Sequence, residues 1–198
     1  MSVTMPAPVL PGWLDLPPGG MTAEDYEDLP EEICRRIEIV DGNVIVTASP
    51  RIPHQDLAAR LRSEIEQALR DTRWRVAMDV DLRLRDVPLL NRRPDLVVYD
   101  GAVDRSQVLR AEDVLLVIEI MSPGSITTDR KDKPAEYAEA RIPHFWRIEF
   151  DVNDAPAAFR YRLDPTTSVY VATDTTGTSK ISMTGPFAFT VELADLTW

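Results

Sequence analysis

The chain has 198 residues, of which 44% are hydrophobic and 28% are charged, a balance typical of a globular domain that forms its core without disulfides. Its one cysteine, Cys34, excludes an intramolecular disulfide, and we expect it to be a buried apolar residue. The net charge of −11 excludes indiscriminate phosphate binding over the whole surface. Nine acids and two bases lie in residues 1–50, so residues 51–198 carry a net charge of only −4.

Residues 1–20 are rich in proline and glycine, and we expect them to form a mobile arm before a single domain over residues 21–198. The first residues lack the basic start and apolar run of a secretory signal, and no stretch reaches the ~18 apolar residues of a membrane helix. These features predict a cytoplasmic protein. Thr22, followed by acidic residues, predicts a short helix beginning at 22–26.

A hairpin and a long helix follow. Residues 35–48 predict the β-hairpin, because two β-rich runs flank Asp41-Gly42, a pair that favours the type I′ turn. Residues 54–70 predict an amphipathic helix with Pro53 in its first turn. The apolar stripe of this helix consists of Leu57, Ala58, Leu61, Ile65, Ala68 and Leu69.

The rest of the chain alternates strands with one more helix. The patterns predict strands at 74–84, 95–99, 114–120 and 145–150, a helix at 132–140 and a β-rich tail over 157–198. The runs at 95–99 and 114–120 are almost continuously apolar, as in strands that are covered on both faces. This order predicts an α/β or α+β fold, in which helices flank a central mixed sheet between an N-terminal hairpin and the β-rich tail.

Two carboxylates occupy unusual places in these strands. Asp95 follows Pro94 and opens a strand, and Glu119 lies near the end of a strand that is otherwise apolar. An ionised carboxylate in such a strand is costly unless a cation pairs with it. Because Mg²⁺ usually takes one or two carboxylates together with waters, Asp95, Glu119 and the carbonyl of Ile120 predict half of a metal shell. The alternative is a solvated Glu119 and a turn-capping Asp95, and the occurrence of both acids at neighbouring strand ends favours the metal.

The predicted helix at 132–140 carries two further candidates. Lys133 and Tyr137 lie four residues apart and therefore share a helix face. A lysine directed at the two carboxylates could stabilise charge on a phosphate in the transition state. The alternative is that Lys131 and Lys133 are solvated charges in a first turn, where a cation opposes the helix dipole, and the sequence leaves these two interpretations equal. Pro134 restricts the helix start to about Asp132.

The motifs combine into a set that resembles a known family. They are Arg93-Pro94-Asp95-Leu-Val-Val, Leu116-Val-Ile-Glu119-Ile-Met-Ser122-Pro123, Asp129 with Lys133 and Tyr137, and Ile142-Pro143-His-Phe-Trp146, preceded by Ile37-Glu38-Ile-Val-Asp41-Gly42 and Pro53-His54-Gln55. From about residue 22 onwards this set resembles the Uma2 family of endonucleases, a bacterial branch of the PD-(D/E)XK, restriction-endonuclease-like superfamily. The resemblance implies a restriction-endonuclease-like core and a metal-dependent phosphodiesterase centre.

The resemblance also implies roles for single residues. Asp95 and Glu119 would be the catalytic acids that hold Mg²⁺ or Mn²⁺. The superfamily lysine stands two residues after the second acid, where this chain has Met121, and the resemblance implies that Lys133 takes that role. The secondary candidates are Glu38, His54, Asp129 and Tyr137, with a capping or surface role as the alternative for His54.

The predicted function is therefore a metal-dependent endonuclease acting on nucleic acid, with DNA as the first choice. A basic stretch close to Asp95 in the sequence predicts either phosphate contacts or a solvated strand edge. It consists of Arg83, Arg85, Arg92 and Arg93. One alternative function is an inactive nuclease fold that binds nucleic acid or a protein, which Met121 and the acidic surface favour. Another is a dimerising protein whose acidic front and β-rich tail form a homodimer interface.

Overall fold

The computed structural model describes residues 18–47, 49–122, 127–173, 177–185 and 187–197. Of the predicted arm over residues 1–20, residues 1–17 lie outside this description. Gly20 lies against Gly42, and the N–H of Met21 donates to the carbonyl of Gly42 at 2.8 Å. Gly20 has a φ of 86°, and a Cβ there would lie 3.2 Å from that carbonyl oxygen. A glycine therefore fits where the chain crosses the hairpin turn.

The N-terminal region forms two short helices and a hairpin. The helices are α1 (Ala23–Glu27) and α2 (Glu31–Cys34), and the strands are β1 (Ile37–Val40) and β2 (Asn43–Val46). Thr22 and Asp25 form a capping box at the start of α1. Asp41 and Gly42 have φ values of 50° and 78°, the positive values that a type I′ turn requires. The predicted hairpin and the helix start at Thr22 are confirmed, and Cys34 is buried.

A five-stranded sheet carries this hairpin. Its order is β2-β1-β5-β4-β7, in which β4 is Leu82–Arg85, β5 is Leu90–Arg92 and β7 is Leu109–Arg110. Strand β4 pairs antiparallel with β5 and parallel with β7. Neither β5 nor β7 was predicted, because strands of three and two residues are too short to show alternation of polar and apolar residues.

A six-stranded mixed sheet forms the centre of the fold, in the order β11-β10-β9-β8-β6-β3. The strands are β3 (Trp74–Met78), β6 (Leu96–Asp100), β8 (Val114–Ile120), β9 (His144–Phe150), β10 (Pro156–Asp164) and β11 (Val169–Ala172). Strands β8 and β9 are parallel, whereas the other pairs are antiparallel. All seven residues of β8 are buried, as its apolar sequence predicted.

The long helix covers one face of this sheet. Helix α3 (Ile52–Ala68) buries Leu57, Leu61 and Ile65 in one core with Leu116 and Ile118 of β8. Because alternate residues of a strand point to opposite faces, Glu119 points to the other face, where Val117 packs with Tyr137 and Phe145. The C-terminal hairpin closes the first core; it consists of β12 (Lys180–Met183) and β13 (Phe189–Glu192), followed by a 3₁₀ turn at Leu193–Leu196.

A short helix with an unusual start covers the opposite face. Helix α4 (Lys133–Glu139) begins next to Asp132, as Pro134 predicted, and it directly follows a π-type turn at Thr128–Asp132 that the sequence did not predict. The N–H of Lys133 donates to the carbonyl of Thr128, five residues earlier. The wider turn accommodates Pro134, which has no N–H to donate to an earlier carbonyl, and the chain continues helically through it.

The predicted fold class is confirmed: the structure is a mixed α+β fold with few helices. Within the described residues, no helix is long and apolar enough to cross a membrane.

Candidate active site

Glu119 is a buried carboxylate with two partners on one helix. Its side chain is 3% exposed. The hydroxyl of Tyr137 donates to Oε1 at 2.6 Å, and Nζ of Lys133 lies 3.0 Å from the same oxygen. Both partners come from α4, because residues four apart share a helix face. The structure therefore brings Glu119 together with Lys133 and Tyr137, and these two share a helix face, as their spacing predicted.

Lys133 is a buried cation rather than a solvated one. Its Nζ also lies 3.4 Å from Oδ1 of Asp129 and 3.7 Å from Oε1 of Glu38. The residue is only 8% exposed, which corrects the alternative of a solvated charge, whereas Lys131 is exposed. Lys133 therefore lies among three carboxylates, those of Glu38, Glu119 and Asp129.

Asp95 lies beside the residue that follows Glu119. Its Oδ2 accepts the N–H of Ile120 at 2.6 Å and lies 3.1 Å from Nε2 of His54, whose ring comes from the first turn of α3. Burial alone would lower the pKa of His54, but the hydrogen bond and charge of Asp95 outweigh it and raise that pKa. The Asp95 side chain is 22% exposed, so the site opens to solvent on this side.

A buried arginine connects the hairpin to α4. Arg92 lies 2.8 Å from Oε2 of Glu38 and binds both carboxylate oxygens of Glu136 at 2.7 Å. Oε1 of Glu38 accepts the N–H of Arg93 at 3.0 Å. Burial would raise the pKa of Glu38, but the charges of Lys133 and Arg92 hold it below its ordinary value. The network fixes α4, and with it Lys133, against the five-stranded sheet.

Negative charge exceeds positive charge around Glu119. Burial raises the pKa of Glu119 to about 8, with the carboxylates of Asp95, Asp129 and Glu38 adding to the effect and Lys133 opposing it. Burial works against the charge of Lys133, but the carboxylate of Glu119, together with those of Glu38, Asp129 and Asp95, holds the pKa of Lys133 above its ordinary value. One lysine therefore does not neutralise the cluster, and a further cation would be stabilised there.

A sequence model of one family, described as "Uma2: Putative restriction endonuclease", matches residues 23–194. The chain belongs to the Uma2 family. Among solved structures, a putative nuclease belonging to DUF820 from Anabaena variabilis ATCC 29413 matches with a TM-score of 0.66 and 18% sequence identity, over 89% of this chain and 97% of that chain. At this identity the likeness shows the fold. A comparison with curated proteins found no match. Uma2 membership and the nuclease-like fold together support a nuclease.

The oxygen atoms of this Uma2 site suit a hard divalent cation. Within the described residues, no group of three or more His, Cys, Asp or Glu side chains is arranged to hold a metal. Mg²⁺ needs fewer, since it usually binds one or two carboxylates and completes its shell with waters and phosphate oxygens. Asp95, Glu119 and the carbonyl of Ile120 are the candidate set of this kind, since Asp95 is bonded to the N–H of the residue that follows Glu119.

The predicted basic stretch is occupied by internal ion pairs. Three of its four members have side chains no more than 8% exposed, and the fourth is 33% exposed. The pairs join Arg83 to Glu27 and Asp86, Arg85 to Asp41, Arg92 to Glu38 and Glu136, and Arg93 to Asp79 and Asp81. Carboxylates thus bind all four guanidinium groups, three of which are buried, and contact of this cluster with phosphate stays a prediction.

Two residues near the site were missed in the sequence. Glu136 stands three residues after Lys133, and helical spacing alone could have placed it on the same side of α4. Arg147 pairs with Glu119 across β8 and β9, a register that only the sheet order reveals. Its place in the apolar strand 144–150 was the available signal, since a buried arginine needs a partner.

Proposed function

We propose that this Uma2 protein is a metal-dependent endonuclease that hydrolyses phosphodiester bonds of nucleic acid, with DNA as the first substrate to test. The observation that carries the proposal is the buried Glu119, held by Lys133 and Tyr137 next to an Asp95 that is bonded to the N–H of Ile120. Burying so many charges around one carboxylate is costly for a purely structural purpose. Family and fold point in the same direction.

Each residue has a distinct part in the proposed reaction. Asp95, Glu119 and the Ile120 carbonyl would hold Mg²⁺ or Mn²⁺, which when bound lowers the pKa of a water and polarises the phosphate. Lys133 can donate to a phosphate oxygen as negative charge develops on it. Tyr137 fixes the orientation of the Glu119 carboxylate through its 2.6 Å hydrogen bond.

Lys133 provides the positive charge that the superfamily motif takes from a lysine at the position of Met121. In the strict superfamily motif the lysine lies on the same strand as the second acid. Here Met121 is buried and apolar, and the ammonium group beside Glu119 comes from α4 instead. The site therefore has the charges of the superfamily with a different origin for the lysine.

The test is cleavage of supercoiled plasmid and of single-stranded DNA with Mn²⁺, Mg²⁺ or chelator. Asp95→Asn and Glu119→Gln are expected to abolish metal-dependent cleavage, because each removes a charged ligand. Glu112→Gln, an exposed acid just before β8, serves as the matched control and should cleave normally. Undiminished cleavage by Asp95→Asn would contradict the proposal.

A second candidate is a binding module with the same fold, which the replacement of the strand lysine by Met121 favours. It differs in one result: salt-sensitive DNA binding without turnover by any form of the protein. Retarded DNA on a gel with no metal-dependent product would establish this function in place of cleavage.

A further inference from the structure

An arginine lies one strand away from Glu119 on the same face of the central sheet. Arg147 pairs with Glu119 across the parallel strands β8 and β9, and Phe159 pairs with Arg147 across β9 and β10. Paired residues point to the same face, and neighbouring strands lie about 4.8 Å apart. The carboxylate, the guanidinium group and the aromatic ring therefore form a row that leads outward from the candidate active site.

The guanidinium group of Arg147 is held in place from two sides. It lies 4.9 Å from the ring centre of Phe159 and 5.7 Å from that of Tyr161. Its Nε donates to Oε1 of Glu149 at 2.7 Å, and the side chain is only 10% exposed. A side chain fixed in this way loses little further rotamer freedom when it binds a ligand.

The outer edge of the same guanidinium group carries its remaining N–H donors. Among the described residues, no hydrogen bond or ion pair engages Nη1 or Nη2 of Arg147, and neither nitrogen is a fully buried atom without a partner. Both nitrogens therefore keep some solvent access within a side chain that is mostly buried. This edge carries the parallel N–H donors that match two oxygens of a phosphate.

A second cation lies beside this edge. Arg130, in the π-type turn before α4, pairs with Glu149 through Nε and Nη2 and is 49% exposed. The two arginines share this one carboxylate, so the three side chains carry a net charge of +1 next to the acidic cluster. The pKa of Glu149 is held below its ordinary value: burial raises it, but the hydrogen bonds and charges of both arginines outweigh burial.

We propose that Arg147, assisted by Arg130, binds a backbone phosphate of the nucleic acid next to the bond that is cleaved. The inference rests on the proposed function, since it names the substrate contact of that site. Nucleic acid is favoured over an acidic peptide because Arg147 lies directly across from Glu119 on the next strand, so that one strand of nucleic acid could place neighbouring phosphates at both residues. The rings of Phe159 and Tyr161 hold the guanidinium group in this orientation.

The experiment measures binding of a fluorescein-labelled 30-mer, as duplex and as single strand, by anisotropy in EDTA, where no cleavage occurs. Arg147→Met preserves the bulk over Phe159 and is expected to weaken binding tenfold or more and to lower the slope of log K against log salt by about 1. The matched control is Arg105→Met, an exposed arginine in the loop after β6, which should leave both quantities unchanged. Equal affinity and slope for Arg147→Met and wild type would overturn the inference.

Two further variants separate loss of the phosphate contact from misfolding, because a misfolded protein would not bind DNA more tightly. Glu149→Gln keeps an acceptor for Arg147 but removes the competing charge, so it should tighten DNA binding severalfold. Arg130→Gln should weaken it by about threefold. Weaker binding by Glu149→Gln would contradict the inference, and so would equal competition by an aspartate-rich peptide of the same charge.

Failure of this inference is separable from failure of the proposed function. If Arg147→Met binds and cleaves like wild type, the phosphate contact is refuted and the nuclease stands. If wild type neither binds nor cleaves DNA, both are refuted together.

Discussion

Replacing Glu119 with glutamine is expected to stabilise the metal-free protein at pH 8 while it abolishes metal-dependent cleavage. The reason is the raised pKa of Glu119, about 8 against an ordinary value of 4.5. The folded state keeps a proton that the unfolded state has released, so this group lowers stability progressively as the pH rises from 4.5 to 8. Glutamine resembles the protonated acid and can still accept the hydrogen bond from Tyr137.

The size of the effect follows from these two pKa values. With 1.36 kcal/mol for each pKa unit, the ionisation of Glu119 destabilises the fold by about 1 kcal/mol at pH 5.5 and about 4 kcal/mol at pH 8. Glu119→Gln should therefore be slightly more stable than wild type at pH 5.5 and clearly more stable at pH 8. A bound cation narrows the difference, since ligand at ten times its Kd adds about 1.4 kcal/mol to wild type alone. That amount offsets the difference at pH 5.5 and about a third of the difference at pH 8.

Urea unfolding in EDTA at pH 5.5, 6.5 and 8.0 measures the difference directly, and a repeat with Mg²⁺ measures the effect of the cation. The control is Glu112→Gln, whose difference from wild type should not change with pH. A stability difference for Glu119→Gln that stays constant from pH 5.5 to 8.0, or a variant less stable than wild type at pH 8.0, would refute the assignment of Glu119 as a buried acid short of positive charge.

Three further substitutions test other parts of the site. Arg92→Met should cost about 3–5 kcal/mol in urea unfolding, because it leaves the buried carboxylate of Glu38 without its guanidinium partner. In wild type, we expect Mg²⁺ affinity to fall on acidification through the raised pKa of His54, because the imidazolium then competes with the cation for Asp95. His54→Gln should remove this fall, and calorimetry at pH 6 and 8 measures the Mg²⁺ affinity of both proteins. Lys133→Met should lower kcat by about 10²–10³ with a smaller change in KM, measured by single-turnover cleavage.

Each of these substitutions has a matched control. Arg110→Met breaks an exposed pair with Asp86 and should cost less than about 1 kcal/mol; an equal loss for Arg92→Met would contradict its role. His144→Gln replaces the other histidine and should leave the pH dependence of Mg²⁺ binding intact. Lys131→Met changes an exposed neighbour, and a similar loss of kcat in both lysine variants would argue against a specific contact of Lys133 with the phosphate.

Most of the helices and strands were predictable because short stretches of neighbouring residues determine them. The turn at Asp41-Gly42, the apolar stripe of α3 and the continuous run of β8 each need only a few neighbouring residues. Strands β5 and β7 escaped prediction because their two or three residues are ordered by the strands beside them. The π-type turn before α4 escaped as well, since it depends on how Pro134 is accommodated.

The candidate site was predictable in its acids and less so in its bases. Asp95 and Glu119 are conspicuous because carboxylates seldom occur in buried apolar strands. Arg92 and Arg147 differ in their surroundings although both are buried arginines: two carboxylates bind the first, whereas only Nε of the second donates to a carboxylate. Their difference lies in the pairing of strands far apart in sequence, which a pattern of neighbouring residues does not contain.

In this chain the proposed cation ligands and the lysine lie on different elements, whereas the strict superfamily motif places the lysine on the strand of the second acid. Of the proposed cation ligands, Glu119 belongs to the central sheet and Asp95 directly precedes its strand β6, whereas Lys133 and Tyr137 belong to α4, which the ion pair of Arg92 with Glu136 holds in place. A lysine on the strand of the acid could not move without that strand. Under the proposed function, displacement of this one seven-residue helix would remove the lysine and the hydrogen bond that orients Glu119. Cleavage would then stop while the central sheet stays folded.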